Sequence, residues 1–142
     1  MKPIGVLALQ GDFHEHILAL RSLGAQACEV RSVAELQKCS ALIIPGGEST
    51  TISKLMQSTG LDAEIKKRVK DGMPFYGTCA GAIVAAKKVV GEKRFRPLDL
   101  IDLEIARNSY GRQVDSFEAQ VELKGGPVGS GKIKGVFIRA PV

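Results

Sequence analysis

The apolar positions of this chain fall into short continuous runs separated by longer amphipathic stretches. Residues 4–9 (Ile-Gly-Val-Leu-Ala-Leu), 41–44 (Ala-Leu-Ile-Ile) and 73–76 (Met-Pro-Phe-Tyr) carry no charged side chain. Runs of this length without alternation predict strands buried on both faces, as in a parallel sheet. Residues 27–30 predict one more strand. Between the strands lie segments with helical spacing. Residues 14–23 follow the turn Gln10-Gly11-Asp12, where Asp12 suits an N-cap and Gly24 the C′ position. Ser32 caps a helical turn over 33–36. Ser49 or Thr50 opens a helix to about 58 that Gly60 breaks, and residues 62–70 form another that ends at Gly72. A helical run over 80–88 follows the last of these strands. The order β-α-β-α-β-α-β-α predicts an α/β fold: a doubly wound, mostly parallel sheet flanked by helices, flavodoxin-like.

Past residue 90 the texture changes. Residues 101–106, 117–123 and 135–139 read as strands separated by polar or Gly-rich turns. No long helix intervenes, which predicts antiparallel strands at one side of the sheet. No repeat or linker marks a second domain, so residues 1–142 are expected to form one domain. With 44% hydrophobic and 25% charged residues, the chain can bury a core without disulfides.

The net charge of +5 raises the question of nucleic acid. The cations are dispersed, apart from Lys66-Lys67-Arg68 with Lys70 and Lys87-Lys88 with Lys93-Arg94. Five Phe, two Tyr and no Trp give no base-stacking platform. Solvated helix faces are the expectation, with no nucleic acid as partner. The start of the chain has no signal-peptide pattern, and no apolar run is long enough to span a bilayer, so a cytoplasmic protein with no membrane contact is expected. The three cysteines, Cys28, Cys39 and Cys79, include no CxxC pair. That argues against a disulfide framework or a metal site, and Cys28 and Cys39 read as small packing residues. Gly126-Pro-Val-Gly-Ser-Gly131-Lys132 nearly matches a phosphate-binding loop. However, Ile133 replaces the Ser or Thr that would hold magnesium, and a strand rather than a helix follows, so a flexible hairpin is the better account.

Chemistry concentrates at Gly77-Thr78-Cys79-Ala80-Gly81. The stretch lies between a predicted strand and a predicted helix, with a thiol at the bend. It has the form of a nucleophile elbow carrying cysteine in place of serine. A turn this tight needs residues without a Cβ on both sides of the nucleophile. The helix start favours a thiolate, and the N–H of Ala80 is placed to donate to an oxyanion. Three turns fall at the carboxyl ends of strands, where ligands of such sheets gather: Gln10-Gly11, Gly46-Gly47-Glu48-Ser49 and Thr78-Cys79-Ala80. Gly47 can turn a second N–H toward the same point. Glu48 adds a carboxylate, and Arg107 and Arg139, each after a predicted strand, are candidate anchors for a substrate carboxylate.

Five segments carry a resemblance: Leu9-Gln-Gly-Asp12, Pro45-Gly-Gly-Glu-Ser-Thr-Thr51, Gly77-Thr-Cys-Ala-Gly81, the block from Ala106 to Glu118, and Phe137-Ile-Arg-Ala-Pro141. Together they resemble the glutaminase subunits of pyridoxal 5′-phosphate synthase, which are class I, triad-type glutamine amidotransferases. The resemblance implies that Cys79 attacks the side-chain amide of L-glutamine. It implies an oxyanion hole at Gly47 and Ala80 with the Gln10-Gly11 peptide nearby, and glutamine held by Gly47, Glu48, Ser49, Arg107, Ile138 and Arg139. Ammonia would pass to a (β/α)8 synthase subunit for vitamin B6 synthesis, and the glutaminase itself would need no cofactor.

The same resemblance places the triad base in a C-terminal His-x-Glu motif. This sequence has only His14 and His16. They are two positions apart and cannot share a helix face, so both are expected at the surface or facing a partner. We therefore expect a chain truncated at its C-terminus, without the last strands and helix, and inactive in the 142-residue form. Two other readings remain open on the sequence. One is a glutaminase-like docking module without turnover. The other is a different cysteine-elbow α/β enzyme of deglycase or chaperone type, with Glu15 as its carboxylate, against which the PGGESTT and RNSYGRQVDSFE segments speak.

Overall fold

The computed structural model describes residues 1–107, 109, 113–125 and 129–137. These form two compact units, Met1–Ile105 and a second beginning at Ala106. The first is built on a four-stranded parallel sheet of order β2-β1-β3-β4, from β1 (Ile4–Leu7), β2 (Ala27–Val30), β3 (Ala41–Ile44) and β4 (Phe75–Gly77). Its registers pair Gly5 with Cys28 and Leu42, and Ile43 with Tyr76. The expected doubly wound α/β architecture is therefore present. Strand order reverses between β1 and β3, so the crevice in which such sheets bind ligands opens at the carboxyl ends of these two strands.

The helices are α1 (Phe13–Ser22), α2 (Val33–Leu36), α3 (Ser49–Thr59), α4 (Leu61–Lys70) and α5 (Ala80–Ala85). Local chemistry fixes their ends. Ser32 accepts from the N–H of Glu35 to cap α2. Gly60, at φ 74°, ends α3 in the left-handed conformation and at the same residue opens α4, a conformation glycine adopts without a Cβ penalty. α1 packs against β1 and β2, α3 against α4 and α5, and α5 against β3 and β4. The core comprises Leu7, Val30, Leu36, Leu42, Ile44, Ile52, Met56, Leu61 and Ile65, with smaller neighbours, all shielded from solvent. Full burial of each such side chain stabilises the fold by roughly 1.5–3 kcal/mol.

Two expectations are corrected. The helix over 80–88 stops at Ala85, and residues Ala86–Val89 form strand β5, which pairs in parallel with β6 (Ile101–Ile105). The carbonyl of Val84, which a helix reaching Lys88 would use, accepts instead from Leu98 N–H (2.7 Å), and the next two carbonyls are taken likewise, Ala85 by Leu100 (2.9 Å) and Ala86 by Asp99 (3.0 Å). Lys87–Asp102 and Lys88–Glu104 ion pairs then line up across the new strands. β6 was expected among antiparallel strands, and its partner is parallel.

The second unit contains a short 3-10 turn (Gln113–Asp115) and an antiparallel hairpin of β7 (Phe117–Leu123) and β8 (Gly131–Phe137). β7 matches its expected bounds, while β8 begins four residues earlier than expected. Lys132 and Ile133 of the phosphate-loop lookalike lie in β8, whereas Gly126, Pro127 and Val128 fall outside the described residues.

Candidate active site

The site is assembled from three loops that leave the carboxyl ends of β1, β3 and β4. Cys79 sits between β4 and α5 with φ 49° and ψ −111°, a positive φ rare for a residue with a side chain. The bend is held on both sides. Thr78 N–H donates to Ile44 O (3.1 Å), and Gly81 N–H donates to Thr78 O (2.8 Å). The glycines flanking the thiol are sterically required. A Cβ on Gly81 would meet Ile44 O at 1.9 Å, and one on Gly77 would meet Gly81 C at 2.8 Å. The thiol of Cys79 is exposed to solvent.

The β1 and β3 loops interlock beside it. Gly11, at φ 95°, lies so close to Gly46 that a Cβ there would meet Gly46 O at 1.9 Å. Asp12 N–H donates to the same carbonyl at 3.0 Å. Gln10 Oε1 accepts from Glu48 N–H at 2.8 Å, and a Cβ on Gly47 would meet Gln10 Oε1 at 2.5 Å and Gly11 Cα at 3.0 Å. A methyl group on Gly46 would lie 3.4 Å from both Cys79 Cβ and Asp12 Oδ2. Gln10, Gly11, Gly47, Cys79 and Ala80 thus meet at one crevice, at the point where strand order reverses. Ala80 opens α5, so its N–H has no intrahelical acceptor.

Glu48 caps α3. Its carboxylate accepts from Thr50 N–H (3.2 Å), Thr51 N–H (2.7 Å) and Thr51 Oγ1 (2.9 Å). Partial burial opposes its charge, but the hydrogen bonds from Thr51 and Thr50 outweigh it and hold the carboxyl below its ordinary range. Ser49 and Thr50 are buried, and their hydroxyls have no hydrogen-bond partner among the described residues. Arg107 belongs to the second unit, and Ile138 and Arg139 lie outside the described residues.

Two residues near the nucleophile escaped sequence reasoning. Asp12 stands at the N-cap position of α1 but makes no side-chain cap; its carboxylate is turned to Gly46 instead. His16, expected at the surface or facing a partner, is half-buried, and its Nε2 shares a 3.1 Å hydrogen bond with Thr78 Oγ1. His14 is exposed, as expected. The available signal was the spacing of Asp12 and His16: four apart, they lie on one face of α1. Cys28 and Cys39, read as packing residues, place their sulfurs 3.6 Å apart. Burial, followed by the hydrogen bond and charge of Cys28, pushes the Cys39 thiol up to about 12. Among the described residues, no group of three or more His, Cys, Asp or Glu could hold a metal ion, and no helix is long and apolar enough to cross a membrane.

A doubly wound sheet with cysteine on a strand–helix elbow and two glycine-built loops beside it defines an α/β domain of the glutamine amidotransferase type. A crystal structure of a glutamine amidotransferase superposes with a TM-score of 0.87 at 51% identity, covering 98% of this chain and 72% of that one. The model of the SNO glutamine amidotransferase family matches residues 6–142, and the chain belongs to that family. It is 53% identical over 140 residues to the pyridoxal 5′-phosphate synthase subunit PdxT of Dehalococcoides mccartyi strain 195, covering 98% of this chain and 71% of that protein. A PdxT of Thermus thermophilus is 50% identical over 140 residues, with the same coverage of both chains. A putative peptidase E protein from Listeria monocytogenes shares the fold alone, with a TM-score of 0.62 at 20% identity over 71% of this chain and 63% of that one.

Proposed function

We propose that this chain carries the glutaminase half-reaction that supplies ammonia for pyridoxal 5′-phosphate synthesis, with Cys79 as nucleophile. The observation that carries the reading is the backbone of Cys79, held at positive φ against Gly46. In the proposed reaction the sulfur of Cys79 attacks the side-chain carbonyl carbon of L-glutamine. The C=O electron pair moves onto oxygen, and the N–H groups of Gly47 and Ala80 stabilise that oxyanion, with the Gln10-Gly11 peptide beside them. Collapse breaks the C–N bond and the nitrogen leaves as ammonia after taking a proton. Water then cleaves the thioester to give glutamate and the free thiol. The resemblance assigns the holding of glutamine to Gly47, Glu48, Ser49, Arg107, Ile138 and Arg139. The buried, unpartnered hydroxyl of Ser49 supports its share of that role, because a buried hydroxyl without a partner costs roughly 1–3 kcal/mol.

The partner in this reading is a (β/α)8 synthase subunit that receives the ammonia; the relatives' names, pyridoxal 5′-phosphate synthase subunit, support membership of a synthase built from subunits. Residues 1–142 would act as one amidotransferase domain. The resemblance assigns the triad base to a His-x-Glu motif, and the histidines here are His14 and His16. The deciding test uses the full natural gene product with its synthase subunit. Cys79→Ser should lower kcat for ammonia release by about a thousandfold or more, as expected when a nucleophile is removed. Glutamine should protect Cys79 from the electrophile. Turnover retained by Cys79→Ser, or labelling indifferent to glutamine, would overturn the reading.

A further inference from the structure

We propose that His16 is a positioning residue for the nucleophile, acting on Cys79 through the hydroxyl of Thr78. The proposal rests on the reading of Cys79 given above and extends it to α1, an element outside the elbow.

Cys79 occupies a strained, positive-φ backbone conformation that persists only when its surroundings over-determine it. Thr78 is the residue through which that constraint reaches the thiol. Its N–H is fixed to β3 through Ile44 O, and its carbonyl is fixed to α5 through Gly81 N–H. Both anchors belong to the strands and helix that form the bend. The third polar group, Oγ1, is held from a different direction by His16 Nε2 at 3.1 Å, across 62 residues of sequence. Both side chains are half-buried, so the bond is partly shielded from competing water.

The backbone just before α1 reaches the neighbouring loop. Asp12, one turn before His16, donates its N–H to Gly46 O at 3.0 Å. Gly46 in turn packs 3.4 Å, measured from a Cβ built on it, from Cys79 Cβ. The N-terminal end of α1, from its N-cap Asp12 to His16, therefore ties the β3 loop, which carries Gly47, to the β4 elbow, which carries Cys79 and Ala80. These loops hold the attacking atom and the two proposed oxyanion donors. A misplacement of about 1 Å between such groups costs on the order of 10²-fold in rate. His16 touches none of the reacting atoms, so its effect is on alignment.

The test uses the full natural gene product, with its synthase subunit for turnover, and reads Cys79 in two ways. A glutamine-mimicking chloroketone requires an aligned thiol and oxyanion donors. Iodoacetamide requires only an accessible thiol. Site-resolved mass spectrometry separates Cys79 from Cys28 and Cys39. For His16→Ala the chloroketone rate should fall about tenfold while the iodoacetamide rate stays within about twofold, and kcat should fall about tenfold with KM little changed. His16→Gln, whose side-chain amide can donate or accept a hydrogen bond at similar reach, should restore most of the loss. Thr78→Val removes the other partner while keeping the shape, and it should lose as much as His16→Ala. The double variant should then lose no more than either single one, because both break the same bond. His14→Ala, two residues away and exposed, should behave as the parent.

Parent-like labelling and turnover in His16→Ala, or in Thr78→Val should His16→Ala fail to fold, would overturn the proposal. So would additive losses in the double variant, or equal slowing with both reagents. Should Cys79→Ser remain active, the nucleophile reading itself fails and the proposal falls with it. An inactive Cys79→Ser alongside an unaffected His16→Ala rejects the positioning role alone.

Discussion

At the scale of single residues, the site is built from places where a side chain is forbidden and places where one is spent on another residue. Gly81 and Gly11 are the extreme cases of the first kind. A methyl group on either would sit 1.9 Å from a backbone carbonyl oxygen, of Ile44 and Gly46 respectively, and backbone cannot move aside as a flexible side chain can. Gly81→Ala and Gly11→Ala are each expected to destabilise the fold by more than about 2 kcal/mol in urea denaturation, as overpacking against fixed atoms does. Gly24→Ala meets nothing within 4 Å and serves as a control that reports only the strain of its φ of 77°. Ser49 separates binding from folding. Its hydroxyl is buried without a partner among the described residues, so Ser49→Ala should leave stability unchanged or slightly raised. If that hydroxyl is held for glutamine, KM should rise severalfold with kcat nearly constant. Parallel denaturation and kinetic measurements on the one variant decide both.

At the scale of elements, α3 shows how the site and the scaffold share atoms. Its N-cap is Glu48, an unusual choice, made workable by three donors from Thr50 and Thr51. Glu48→Ala should cost about 1 kcal/mol of stability, the ordinary value of a cap, and Glu48→Asp should recover part of it. Thermal and urea unfolding check both. Most of the elements were legible because their signals are local. The bounds of β3 follow from an unbroken apolar run and the start of α2 from a Ser cap, β2 keeps its expected bounds although Glu29 interrupts its apolar positions, and Gly24 and Gly60 mark helix ends by needing positive φ. The elbow was legible too, because Gly77 and Gly81 bracket a cysteine at a spacing that the turn itself demands. What the sequence hid is non-local. Residues 86–88 continue the helical run of the sequence, but the chain near 98–100 captures the carbonyls of Val84, Ala85 and Ala86, and tertiary pairing overrides the local preference. His16 was hidden for the same reason. Its spacing from His14 suggested no shared role, and its partner, Thr78, lies 62 positions away.

At the scale of the whole molecule, the titratable groups with displaced values set a pH window for stability, and each edge of it has a named origin. On the acid side, Glu48, Glu35 and Asp102 all sit below their ordinary values. In Glu48 the hydrogen bonds from Thr51 and Thr50 overcome the effect of burial; in Glu35 the leading cause is the hydrogen bond from Arg31 N–H; in Asp102 it is the hydrogen bond with Lys87. A carboxyl whose folded value is depressed contributes stability that is present above its unfolded value and lost as pH falls through the folded one. These three groups therefore remove stability below about pH 4.5, while a chain already at +5 gains further positive charge. On the alkaline side the origin is Cys39. Its folded value is about 12 against an ordinary 9.0, chiefly because it is buried and also because Cys28 lies beside it. For a raised group the sign reverses: its contribution is complete below the unfolded value and is lost as pH climbs toward the folded one. Between pH 9 and 12 the free energy of unfolding should therefore fall by up to about 1.4 kcal/mol per pH unit from this thiol, the equivalent of one proton. Urea denaturation across the pH range tests both edges with two variants. Cys39→Ala should be less stable at neutral pH because of the cavity it leaves, yet its curve above pH 9 should be flatter than the parent's. Glu48→Gln should flatten the acid edge and leave the alkaline edge untouched. An unchanged alkaline slope in Cys39→Ala would mean that another group sets that edge.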